Sequence, residues 1–175
     1  MLKLNRTTLK SGLKNVVIFL VLVFAVEYWQ SRNMTRGALP EALRLESLPT
    51  LQGTTRSLWS PEKWTVVYVF APWCGVCRAS GTNIEALPED FHKAALALSW
   101  DQVAAVDEFV RDTGLKVPVL MGKEREEAAL RIAAYPSYLI IDPEGRIVKA
   151  WSGYTTTVGL WLRSYWTRLL GAARG

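Results

Sequence analysis

The spacing of apolar positions changes several times along the 175-residue chain, and each change marks an element. Every residue from Val16 to Val26 is apolar, and Leu13, Tyr28 and Trp29 extend the run into a candidate membrane anchor over 13–30. Thr65 to Phe70 reads as a strand, with an apolar, largely β-branched run from Val66, as burial on both faces requires. Helical spacing follows from Gly75 to about Leu87, where Pro88 stops it. Ala94 to Leu98 reads as a short strand. Asp101 is placed to cap a helix through Asp112, with Val103, Val106, Phe109 and Val110 on one face and Gly114 closing it. Val117 to Met121 is extended and Glu124 to Ile132 is a charged helix. Tyr138 to Ile141 and Arg146 to Trp151 pair across the turn Asp142-Pro143-Glu144-Gly145. Leu48 to Trp59, turning at Gly53, makes a smaller hairpin. In the last segment, Thr156 to Leu170, the residues Val158, Trp161, Leu162, Tyr165, Trp166 and Leu169 form one stripe, with Arg163 and Arg168 off it. A terminal helix docked on the sheet is preferred there to one lying on a membrane, because an open sheet needs both faces covered. The sum is an α/β sandwich, a central mixed sheet with helices on both faces.

Charge changes the picture at the N-terminus. The formal net charge is +5, and residues 1–36 hold six of the 21 basic residues against one of the 16 acids, leaving fifteen of each in the remainder. The basic character belongs to an arm and not to a face, so nucleic acid is excluded as a partner. Four basic residues precede the apolar run and two follow it, which orients the N-terminus to the cytoplasm. No small-x-small cleavage site follows, because Ala25 is flanked by Phe24, Val26 and Glu27, so the anchor is expected to stay uncleaved. The resulting organisation is a cytoplasmic tail over 1–12, a transmembrane anchor over 13–30, a linker over 31–47 and a folded domain over 48–175. That domain would sit on the periplasmic side of a bacterial inner membrane.

The candidate chemistry lies in Ala71-Pro72-Trp73-Cys74-Gly75-Val76-Cys77, which holds both cysteines of the chain. A strand hands them to the start of a helix, and a three-residue spacing on one helical face suits the ~5.5 Å Cα separation of a disulfide. Cys74, at the helix N-terminus, is favoured as thiolate and therefore as nucleophile. Cys77, one turn inside, is the resolving partner. Pro72, Trp73, Gly75 and Val76 shape the site. No cofactor beyond the redox-active Cys74–Cys77 pair is expected, and no metal. Other readings of the pair are copper(I) handling by two thiolates, a purely structural disulfide, and a tethered peptide-binding module without turnover. His92 is read as an ordinary surface or loop residue, too little to complete a zinc site.

With Trp73-Cys74-Gly75-Val76-Cys77 after the first central strand and Tyr135-Pro136 before a hairpin, the sequence from about Leu45 to Leu170 resembles the thioredoxin superfamily. The apolar N-terminal segment and Ala71–Arg78 are similar to its membrane-anchored TlpA-like branch. The resemblance implies a thioredoxin-like three-layer sandwich after one transmembrane helix, acting as a protein disulfide oxidoreductase on thiol and disulfide substrates. It implies that Pro136 is cis and faces the disulfide, and that the backbone of Tyr135 offers hydrogen bonds to an extended substrate. It also implies an electron source, a DsbD-type membrane thiol donor, if the activity is reductive. Two departures stand out. Tyr68 occupies the place of the family's buried acid, for which Glu85 is a substitute candidate, and Gly75-Val76 lacks the histidine of strongly oxidising members. The latter points to a potential near that of thioredoxin, about −270 mV.

Overall fold

In chain order the elements are α1 (Arg6–Ser31), β1 (Gly37–Ala38), α2 (Glu41–Leu45), β2 (Leu48–Pro49), β3 (Thr55–Arg56), β4 (Thr65–Phe70), and α3 (Gly75–Ser80), which tightens into a 3-10 turn (Gly81–Ala86). They continue with β5 (His92–Ala97), α4 (Val103–Thr113), β6 (Val119–Met121), α5 (Glu124–Leu130), β7 (Ser137–Ile141), β8 (Arg146–Ser152) and α6 (Thr157–Ala172). The structure is a computed structural model and describes residues 6–172, the side chains of 6–13, 20, 23, 24, 27 and 172 excepted. Residues 1–5 of the expected tail therefore lie outside the described residues, as do several side chains of the expected anchor. Among the described residues no helix is long and apolar enough to cross a membrane.

β4 has the expected bounds, and all six of its side chains are buried. It earns that burial by its place in the sheet, whose order is β1-β8-β7-β4-β5-β6. β4 pairs parallel with β5 and antiparallel with β7, so the sheet is mixed. Strand alternation sends Val66, Tyr68 and Phe70 to one face, where Cys77, Ile84, Phe109 and Leu160 from α3, its 3-10 extension, α4 and α6 cover them. Val67 and Val69 face the other way, among Leu43 of α2, Leu58 and Leu130 of α5. Helices on both faces make the expected three-layer sandwich. The small hairpin is also present, with Leu48 opposite Arg56 and Gly53 at φ 80° in the turn.

Several boundaries moved for local reasons. The helix after the cysteines is α-helical only to Ser80 before tightening. α4 is capped by the backbone at Gln102, with no side-chain cap, and not by Asp101. At its other end Gly114, at φ 70°, donates its N–H to the Val110 carbonyl at 2.9 Å, as a left-handed terminator does. α5 stops at Leu130 because Arg131 turns left-handed at φ 53°.

The stretch 31–47, expected to be a free linker, is folded onto the domain. Met34, Leu39 and Leu43 are buried there. The Leu39 N–H donates to Gly145 at 2.8 Å, the Thr35 N–H donates to Leu130 at 3.1 Å, and β1 adds to the sheet beside β8. Three buried side chains of this size, each contributing about 1.5–3 kcal/mol, suffice to hold a short segment whose polar residues and prolines read as linker.

α6 docks on the sheet, but of its apolar stripe only Tyr165 reaches the core, its ring edge-on to Phe91 with centroids 5.4 Å apart. Leu160, Ser164 and Thr167 are buried, and a Cβ on Gly171 would collide with the Trp64 ring. Val158, Trp161, Leu162, Trp166 and Leu169 are exposed. The sheet already presents the large side chains Tyr68, Tyr138 and Trp151, so a close approach needs small residues on the helix.

Candidate active site

Both cysteines lie where the carboxyl end of β4 meets α3, and they form a disulfide with Cα atoms 5.2 Å apart. Cys74 is the N-cap of α3, and its Sγ accepts the Cys77 N–H at 3.1 Å. That hydrogen bond points a backbone dipole at the Cys74 sulfur and would favour a thiolate there once the disulfide is open. Cys74 retains 6% of its surface while Cys77 retains none, so an incoming sulfur meets Cys74 first. Pro72 is buried behind the pair, whereas Gly75 and Val76 are exposed beside it.

Tyr135 and Pro136 are brought to the same place. The Tyr135–Pro136 peptide bond is cis, and the Pro136 carbonyl accepts the Gly153 N–H at 2.8 Å. Trp73, 68% exposed, stands edge-on to the Tyr135 ring with centroids 5.8 Å apart. Its indole N–H donates to the Ser99 carbonyl at 2.9 Å. The Tyr135 hydroxyl donates to Glu127 at 2.6 Å. Burial first, and then that carboxylate, push the Tyr135 hydroxyl far above its usual range, so it stays protonated.

Beneath Cys77 the expected position of a buried acid is filled by a neutral hydroxyl. Tyr68 is fully buried, and its hydroxyl donates to the Cys77 carbonyl at 2.8 Å. Burial raises its pKa strongly, with Tyr138 adding to the effect. Ser80 donates to the Val76 carbonyl at 3.1 Å. The Tyr138 hydroxyl, also buried, is pushed up to about 12 by burial, with Ser80 opposing the rise, and makes no hydrogen bond of ordinary geometry. Glu85 is not part of this group: its carboxylate accepts the Lys116 N–H, and it lines a separate pocket with Arg56, Lys63 and His92. His92 opens β5 and is half-buried, its pKa lowered by burial and then by Arg56 and Lys63.

Two residues of the site escaped the sequence reading. Ser99 adopts φ 51°, a strained left-handed conformation for a non-glycine residue, and presents its carbonyl to Trp73. Trp100 donates its indole N–H to Gly122 at 2.8 Å and carries the Lys123 ammonium 3.3 Å from its ring centroid. With Pro72, Trp73, Arg78 and Glu108, Trp100 lines a cavity of about 260 Å³ beside the disulfide. The signal available in the sequence was position: both residues follow β5, whose carboxyl end lies beside that of β4 in a parallel pair.

Residues 42–150 match the model of the AhpC/TSA family. A "Thioredoxin-like protein" of Haemophilus influenzae is 26% identical over 167 residues, spanning 93% of this chain and 96% of its own. A structure of dsbF from MTB, in mixed oxidised and reduced forms, is similar at 25% identity and a TM-score of 0.63, covering 74% of this chain and 99% of that one. A secreted Mycobacterium tuberculosis disulfide oxidoreductase shares the fold at 18% identity and a TM-score of 0.62, covering 72% of this chain and 98% of that one.

Proposed function

The chain belongs to the AhpC/TSA family, and from that premise we propose that it is a membrane-tethered oxidoreductase that reduces disulfides of proteins outside the cytoplasmic membrane. It is a thiol-disulfide oxidoreductase with a Cys-x-x-Cys active site. The observation that carries the assignment of roles is the asymmetry of the pair. Cys74 keeps a small exposed surface and receives the Cys77 N–H, and Cys77 is sealed beneath it.

In the reducing direction the Cys74 thiolate attacks a substrate disulfide. One sulfur–sulfur bond forms to Cys74 as the substrate's own bond breaks, and one substrate thiolate leaves. Cys77 then loses its proton and attacks the Cys74 sulfur, which expels the second substrate thiolate and closes the Cys74–Cys77 disulfide. Two electrons pass to the substrate, so each cycle requires a dithiol donor, and a membrane protein of the DsbD type is the donor class proposed. The edge-on pair of Trp73 and Tyr135 borders the approach to Cys74, where the backbone of Tyr135 would receive an extended substrate segment.

The tether is supported by α1, whose described apolar side chains, among them Val16, Ile18, Phe19, Val21 and Leu22, are exposed and point in several directions around the helix. Such a helix is costly in water and at home in lipid. The tail Ser152–Thr156 leading into α6 resembles that of suppressor-of-copper-sensitivity protein D, which is why a role in copper or redox stress is included in the proposal. Among the described residues no group of three or more His, Cys, Asp or Glu could hold a metal ion, so copper(I) handling would rest on the two sulfurs alone.

The test is trapping. Cys77→Ala in the full chain is expected to accumulate mixed disulfides with cellular proteins, all lost when Cys74→Ala is added. If no Cys74-linked adduct forms, exchange is not the activity.

A further inference from the structure

Beside Tyr165, which packs on Phe91, α6 carries an apolar face left exposed among the described residues. Val158 (67%), Trp161 (42%), Leu162 (54%), Trp166 (65%) and Leu169 (62%) are exposed together, because the helix meets the sheet through Leu160, Ser164 and Thr167. A row of large apolar side chains like this on a soluble face marks a contact surface. The helix holds no acidic residue. Its two arginines are held toward the domain, Arg163 over the Trp151 ring and Arg168 on Asp90. What faces outward is therefore indole and aliphatic, with cations at the margins, the composition of a helix lying in a membrane interface.

A second apolar surface lies close by. The exposed residues Phe19, Leu22 and Val26 of α1, together with Gln30, line a groove of about 530 Å³ against Ser152, Gly153 and Tyr154, and Tyr154 stands three residues before α6 begins. The end of α1 is fastened at the same spot, where the Ser31 hydroxyl oxygen accepts the Ser152 N–H at 3.0 Å. Because 31–47 is packed on the domain, no slack separates α1 from β8. A second copy of the chain could cover one of these surfaces. A bilayer covers both.

We propose that the outward face of α6, continued by Tyr154, rests on the lipid surface that α1 enters, so that the domain is held against the membrane in one orientation. This rests on the tether proposed above. Lipid contact would bury indole and aliphatic surface that is otherwise left in water, and would leave the active-site helix α3 to protein partners.

The full chain is reconstituted into vesicles of phosphatidylcholine and phosphatidylglycerol, and its tryptophan emission is compared with ordinary and brominated phosphatidylcholine. The double variant Trp161→Phe/Trp166→Phe keeps the apolar bulk but removes two reporters, and disulfide reductase activity verifies that its fold is intact. With Trp29 the third lipid-facing indole, the variant is expected to lose about two-thirds of the lipid-quenchable emission. Equal quenchable emission in the two proteins overturns the inference, as does a dimer that Trp161→Lys/Trp166→Lys dissolves, which would assign the face to a second copy. A chain that fails to float with the vesicles refutes the tether and the inference together, whereas a floating chain with unchanged quenching refutes the inference alone.

Discussion

Two buried tyrosines under the active-site helix should respond differently to loss of a single oxygen. Tyr68 and Tyr138 have ring centroids 5.5 Å apart, and both are fully buried. The Tyr68 hydroxyl spends its proton on the Cys77 carbonyl at 2.8 Å. Tyr68→Phe removes that bond and orphans one lone pair of a carbonyl in the first turn after Cys74, a loss of about 0.5–1.5 kcal/mol. The Tyr138 hydroxyl is desolvated and makes no hydrogen bond of ordinary geometry; the Ser80 hydroxyl, which lowers its pKa, gives its own proton to the Val76 carbonyl. A buried unpaired hydroxyl costs about 1–3 kcal/mol, so Tyr138→Phe should be neutral or stabilising. For a domain of this size about 1 kcal/mol corresponds to roughly 2–4 °C, so the melting temperature of Tyr68→Phe should fall by a few degrees while that of Tyr138→Phe holds or rises. The assay is thermal unfolding of the oxidised full chain in one detergent, all variants side by side. If Tyr138→Phe lowers the melting temperature as much as Tyr68→Phe does, the Tyr138 oxygen has a partner and the reasoning fails.

Three further outcomes are expected. Leu160→Ala should cost about 2–5 kcal/mol, as a buried leucine does, while Leu162→Ala on the opposite face of α6 should cost under about 0.5, and denaturant titration separates them. Trp73→Phe keeps the ring against Tyr135 but loses the bond to the Ser99 carbonyl, so kcat/KM for a protein disulfide should fall about 2- to 10-fold with the melting temperature unchanged. Glu126 is buried, which alone would raise its pKa, but hydrogen bonds from Arg125 and the Lys123 N–H outweigh burial and hold it below the usual range. Its stabilisation is therefore complete above the unfolded value of about 4.3 and is lost as pH falls through the lower folded value, and a melting curve against pH should lose that acid limb in Glu126→Gln.

How far the fold was legible depended on whether a pattern named its own partner. β4 was readable to the residue because Thr65 and the five apolar residues after it, rich in β-branched side chains, suit a strand covered on both faces. The stripe on α6 was readable as a stripe, but periodicity says which residues share a face and not which face meets the sheet. That choice was made elsewhere, by the bulk of Tyr138 and Trp151 on β7 and β8, and it turned the small residues inward. Met34, Leu39 and Leu43 carry 31–47 onto the domain without any period at all. A linker and a strap of this kind look alike until the surface that receives them is known.

The site divides along the same line. Cys74 and Cys77 announce themselves because their chemistry is local: three residues and one helix start set their separation and the N–H that reaches Cys74. The resemblance was needed to single out Tyr135 and Pro136, and they arrive only through the pairing of β7 with β4, which no short window contains. Ser99 and Trp100 are more hidden still. Serine is an unusual choice at φ 51°, and its carbonyl is tied to Trp73 across 26 residues, so the conformation of one loop and the pose of the most exposed ring at the site are a single feature. Tyr68 shows the converse. Its identity could be read as a departure from an acid, yet what it does depends on α3 crossing β4 closely enough for a phenol to reach a carbonyl nine residues on. A hydroxyl in that place holds the helix and stays neutral at any physiological pH. Proton traffic at Cys77 must therefore pass through neutral donors or solvent, and not through an ionised Tyr68.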